Sequence, residues 1–99
     1  LIKIDDNNFN EQVSQYRRAL VCFTAPTCGA CGPQKEILRQ VEDDLGQPAI
    51  FIVDATEAPT IAQRYAIRSL PTLCAFEFGE LEQQVVGLQS YDTVKRMMR

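Results

Sequence analysis

The sequence predicts an α/β fold, a central mixed five-stranded sheet flanked by helices on both faces. Three observations lead there. "ALVCFTA" (19–25) and "AIFIVD" (49–54) are unbroken apolar runs of strand length, as expected of strands buried on both faces. Around them, apolar residues recur at helical spacing. Near the end, "LCAFEF" (73–78), Gly79-Glu80 and "EQQVVG" read as strand, hairpin turn and returning strand. The order is β-α-β-α-β-α-β-β-α, and helices alternating with buried strands before a closing hairpin give a mixed sheet.

Each element has its own signal. "LIKID" (1–5) is a short strand. Asn8 followed by Glu11 has the pattern of a capping box, and Phe9, Val13 and Tyr16 continue a helix over about 8–17. Beyond the second strand, Ile37, Leu38, Val41 and Leu45 share one helical face, which Gly46 and Pro48 terminate. Pro59 suits the first turn of a short helix running to about Tyr65 or Ala66. "SLPT" (69–72) interrupts the chain before the hairpin, and Tyr91, Val94, Met97 and Met98 mark a last helix from Ser90. Without an internal repeat or low-complexity linker, 99 residues point to a single domain over 1–99.

Composition narrows the function. A chain that is 45% hydrophobic and 23% charged can build a core without staples. Net charge −3 offers no electrostatic reason to bind nucleic acid or an anionic membrane. No apolar run is long enough to span a bilayer. "LIKIDDNNFN" has none of the regions of a signal peptide, which favours a cytoplasmic protein, with a periplasmic one or a piece of a longer chain left open. The lack of histidine removes Cys-His and Ser-His-Asp catalysis and most zinc sites. Cys22, Cys28, Cys31 and Cys74 contain one C-x-x-C knuckle, with the other two inside strands, so no metal site is expected.

Two overlapping spellings occupy residues 28–34: Cys28-Gly29-Ala30-Cys31, a dithiol, and Cys31-Gly32-Pro33-Gln34, in which an amide stands where a second sulfur would. A reactive thiol should follow a central strand and open a helix, where the helix dipole stabilises its thiolate. Cys28 fits, three residues past the strand, with Cys31 in the first helical turn and tucked inward. This division suggests Cys28 as the attacking and Cys31 as the resolving sulfur. Starting from Cys31 instead slides the helix's apolar face out of register. A helix starting at Cys28 would put Pro33 fifth, where it lacks an N–H that should be bonded. The first turn is therefore either distorted, or a regular helix begins only near Gly32-Pro33.

With Cys28 placed, the chain resembles the thioredoxin family along nearly its whole length. "VCFTAPTCGAC" (21–31) is similar to the family's strand leading into its active-site cysteines, as a C-G-A-C variant. "YAIRSLPTLCAFEFGELEQQVVG" (65–87) resembles the stretch carrying the family's cis-proline, hairpin and glycine, with Pro71 at 43 positions after Cys28. The resemblance implies a cis Leu70-Pro71 bond facing the cysteines and backbone there that pairs with an extended substrate. It also implies a groove rimmed by Thr27, Leu70, Gly87 and Leu88.

Four departures from the family pattern stand out. Thr27 replaces the usual Trp, and Ala30 replaces Pro between the sulfurs. Cys22 stands where the family has a buried Asp, and Ile50 where its Lys partner would be, leaving an apolar floor and making Cys22 a buried modulator. Glu36 stands where the helix usually has a kinking Pro. A floor without an acid should raise the Cys31 pKa and slow turnover, with water or another carboxylate such as Glu36 managing the proton.

The resemblance implies a thiol-disulfide oxidoreductase that reduces or exchanges protein or small-molecule disulfides through Cys28 and Cys31. It needs no cofactor and is recharged by an external reductase or oxidant. The alternative is a binding or chaperone module of the same fold with little turnover, which the lost Trp, Asp and Lys favour and the intact cysteine pair opposes. Cys22 and Cys74 are either small buried hydrophobes or, for Cys22, a third thiol able to exchange with Cys31.

Overall fold

In the computed structural model, which describes all 99 residues, five strands and four helices alternate as expected. They are β1 (Ile2–Ile4), α1 (Phe9–Ser14), β2 (Arg18–Thr24), α2 (Cys31–Asp44), β3 (Ala49–Asp54), α3 (Pro59–Arg64), β4 (Thr72–Glu77), β5 (Glu80–Val86) and α4 (Tyr91–Met97). The sheet order is β1-β3-β2-β4-β5, parallel on the β1-β3-β2 side and antiparallel on the β2-β4-β5 side.

Period-two alternation divides the core between the two faces of this sheet. Val21, Phe23, Phe51, Val53 and Phe76 face one way and pack with Phe9 and Val13 of α1 and Ile61 of α3. Leu20, Cys22, Ile50, Leu73 and Ala75 face the other way, against Leu38 and Val41 of α2 and Val94 and Met97 of α4. The central strands β2 and β3 are therefore buried on both sides, which explains their unbroken apolar sequences.

Several boundaries differ from the sequence-based expectation. The capping box does not form: the Asn8 side chain accepts from the Asp5 N–H (2.8 Å) and makes no helix-capping bond. Helix α1 is about one turn shorter than 8–17 would allow: it stops at Ser14, ahead of β2 at Arg18, and Tyr16 lies outside it against the Phe51 ring. Helix α2 ends at Asp44, so Leu45 leaves the apolar stripe and is exposed. The hairpin turn is Phe78-Gly79, one residue earlier than expected. Both residues take the left-handed conformation (φ 47° and 83°) that tight hairpins demand.

Helix α3 begins at Pro59 and has no side-chain cap of its own, since Ala58 precedes it. Asp6 supplies one from across the molecule, its carboxylate accepting from the N–H groups of Thr60 (3.1 Å) and Ile61 (2.9 Å). Desolvation works to raise the Asp6 pKa, but these backbone bonds outweigh it and hold the carboxyl below its ordinary value. A carboxylate with a depressed folded pKa stabilises the fold fully above its unfolded pKa, near 3.8 here, and loses that contribution as pH falls through the folded value. Asp6→Asn is therefore expected to lower the urea midpoint at pH 7. The gap from the parent should narrow below about pH 4, which urea titrations at both pH values will measure.

Candidate active site

The register of the sheet brings three chain segments to one end of it. Thr24 closes β2 beside Asp54 of β3, and Phe23 pairs with Thr72, the first residue of β4. Thr72 in turn pairs with Val86, the last residue of β5. The segments that continue from these strand ends are 25–30 with the cysteines, Leu70–Pro71, and Gly87–Ser90. Leu70–Pro71 is a cis peptide, as the resemblance implied.

Cys28 and Cys31 are joined in a disulfide with Cα atoms 5.4 Å apart. Cys28 lies in a turn, its N–H donating to the Ala25 carbonyl (3.1 Å), and is partly exposed. Cys31 is the first residue of α2 and only 3% exposed. The helix thus opens at the second sulfur and not at the first. This start resolves the Pro33 question: Pro33 is the third helical residue, within the first turn, where a missing N–H costs no helical bond. No distorted turn is needed, and the regular helix starts one residue before Gly32.

At this end of the sheet, Thr27 is exposed, Leu70 partly buried, Pro71 buried, Gly87 partly buried and Leu88 exposed. Gly87 adopts φ 91°, and its N–H donates to the Pro71 carbonyl (2.8 Å). Its open surroundings would admit a Cβ, so the glycine answers a conformational need and not a shortage of space.

Cys22 and Ile50 both belong to the fully buried apolar layer under α2, as the lost acid and lysine implied. Burial pushes the Cys22 thiol up to about 12, an effect that the Lys35 charge only partly offsets. Cys74, also pushed up to about 12 by burial, lies on the opposite face of the sheet, among the residues packed by α1 and α3. Both are free thiols. Glu36 is exposed on α2 and pairs with Arg39 (3.5 Å), so its carboxylate is engaged at the surface. Lys35, whose charge acts on Cys22, lines a small cleft with Lys3, Thr24, Pro26, Ile52 and Asp54.

Sequence reasoning missed one polar group. Gln34 is fully buried one turn beyond Cys31, within the stripe of Leu38 and Val41. Its Nε2 donates to the Gln89 carbonyl (3.2 Å), and its Oε1 accepts from the Gln89 N–H (2.6 Å). The signal was available: an amide stands three and four residues from apolar core positions, where a buried polar group requires partners.

The thioredoxin family model matches residues 1–99, the whole chain. The chain belongs to the thioredoxin family. Among curated thioredoxins, it is 32% identical to that of Staphylococcus haemolyticus over 99% of this chain and 94% of that one. It is 30% identical to a Staphylococcus aureus thioredoxin with the same coverage. A solved mutant thioredoxin from Halobacterium salinarum superposes with a TM-score of 0.89 at 26% identity, covering 98% of this chain and 86% of that one. Family membership and the disulfide-forming pair together support a redox role in disulfide exchange.

Proposed function

We propose that the chain reduces or exchanges disulfides through Cys28 and Cys31, with the C-G-A-C turn as its working site. The observation carrying this reading is the Cys28–Cys31 disulfide, with one sulfur accessible and the other buried, at the sheet end shared with Leu70–Pro71 and Gly87. In the reduced protein, the Cys28 thiolate attacks one sulfur of a substrate disulfide. The first substrate thiolate leaves, and Cys28 is held in a mixed disulfide. The Cys31 thiolate then attacks the Cys28 sulfur, releasing the second substrate thiolate and restoring the Cys28–Cys31 bond. Two electrons pass from protein to substrate, and an external reductase returns them; an external oxidant would drive the cycle in reverse.

Thr27, Leu70, Pro71, Gly87 and Leu88 form the surface along which a substrate chain lies in this reading. Protein disulfides suit such a surface because an extended segment can pair with backbone there. The substituted Trp position and the uncharged Cys22 favour a second reading, a module that holds extended segments with little turnover.

Trapping separates the two. Cys31→Ser protein should retain a disulfide-bearing peptide as a covalent adduct that reductant releases, whereas Cys28→Ser should retain none. Mass spectrometry that found equal adduct on both variants, or none on either, would overturn the assignment of Cys28 as attacking sulfur.

A further inference from the structure

Gln34 closes a hydrogen-bonded path around the site, and this path fixes a wall of the proposed groove. A glutamine in an apolar helix stripe is costly unless its amide is fully paired. Here both ends are satisfied by the N–H and carbonyl of one residue, Gln89, much as a neighbouring strand would satisfy them. The Gln89 side chain in turn donates to the carbonyls of Val86 (3.2 Å) and Gly87 (3.1 Å). Gly87 donates to the Pro71 carbonyl. The path therefore runs from α2, which Cys31 opens, through residues 89 and 87 to Pro71.

Leu88 stands between two clamped residues and is about half exposed (51%). The segment is irregular backbone between β5 and α4, so these bonds take the place of a strand ladder in fixing it. Its far end is fixed as well, because the Ser90 hydroxyl caps α4 by accepting from the Thr93 N–H (3.2 Å).

We propose that Gln34 is a positioning residue that holds Gly87–Gln89 as a preformed groove wall, giving the site selectivity for disulfides carried on extended polypeptide over small disulfides. The inference rests on the thiol-disulfide reading above. A polypeptide disulfide must lie along this wall to present its sulfur to Cys28, and a wall already ordered spares the ordering cost on binding. A small disulfide reaches the partly exposed Cys28 without touching the wall.

The test uses pre-reduced protein and compares second-order rate constants for the interchain disulfides of insulin and for hydroxyethyl disulfide. Gln34→Met keeps the side-chain volume and removes both hydrogen-bonding ends. It should lower the insulin to hydroxyethyl disulfide ratio about tenfold, a change of the size expected when a buried paired group is lost. Gln89→Ala removes the side-chain bonds to the Val86 and Gly87 carbonyls and leaves Gln34 paired with the residue 89 backbone, so its ratio should fall less; it also decides the matter if Gln34→Met does not fold. An unchanged ratio in a folded variant overturns the proposal, because a purely structural role would slow both substrates alike.

If the parent protein reduces neither substrate, the redox reading fails. The wall is then judged by binding of a cysteine-free extended peptide to the parent and Gln34→Met proteins. A drop of about tenfold in affinity sustains it, and equal affinity overturns it.

Discussion

Cys22→Asp is expected to speed release of the second substrate thiolate by about tenfold or more and to weaken the fold at neutral pH. The reasoning begins with burial. With its thiol pushed up to about 12, Cys22 is neutral at pH 7 and provides no base under the helix that Cys31 opens. In the proposed cycle the second step needs the Cys31 thiolate, so a proton must leave a residue that is only 3% exposed. A carboxylate in the layer of Leu38, Ile50 and Leu73 would accept it. Desolvation would raise its pKa toward the working pH, where general bases act best.

The same burial makes the substitution costly. An Asp whose folded pKa is raised adds no pH-dependent cost while both states hold the proton. The cost grows as pH rises above the unfolded value of about 3.9 and levels off above the folded one. Urea titrations at pH 4 and pH 8 should therefore differ for Cys22→Asp, with the lower stability at pH 8. Single-turnover kinetics should show the faster second step. A second step unchanged or slower in the folded variant would contradict the idea that a missing buried acid limits that step.

Phe76→Ala is expected to cost about 3–5 kcal/mol. Phe76 is fully buried on β4 and meets Phe9 edge-on at 5.6 Å and Tyr65 edge-on at 5.3 Å. Phe9 and Tyr65 are themselves 5.7 Å apart, so three rings join α1, the end of α3 and the sheet. Removing this ring loses its burial and both ring contacts and leaves a cavity that a sheet packed on both faces cannot close easily. A domain of this length has roughly 5–15 kcal/mol in total, so the substitution removes a large share of the stability. The urea midpoint reports the loss directly. A change below about 1 kcal/mol would mean the face carrying α1 and α3 repacks freely.

How legible the fold was depended on the range of the interaction that decided each element. The bounds of β3 were readable to the residue, because a run buried on both faces ends where its apolar sequence ends. Helix α4 was readable because Ser90 caps it locally. Helix α1 starts after Asn8 as expected, but its end was placed three residues too late, because the chain must leave the helix to enter β2 at Arg18. The Asp6 cap of α3 joins residues 54 or 55 positions apart, beyond the reach of any local pattern.

The site divided along the same line. Pairing of Cys28 with Cys31 and the cis Leu70–Pro71 bond were legible from spacing and family resemblance. The bond from Gln34 to Gln89 spans 55 positions and was not. Pro33 looked like a conflict only while the helix was taken to start at Cys28; with Cys31 first, it sits where proline is tolerated. Glu36 looked like a possible proton acceptor by position alone, and Arg39 at the surface accounts for it.

The measurement that bears most directly on the central claim is the rate at which dithiothreitol-driven protein reduces the interchain disulfides of insulin, compared between the parent and Cys28→Ser. Turnover above the uncatalysed background in the parent, lost to background in Cys28→Ser, is the predicted result. Equal rates for the two proteins would contradict the assignment of disulfide exchange to Cys28 and Cys31.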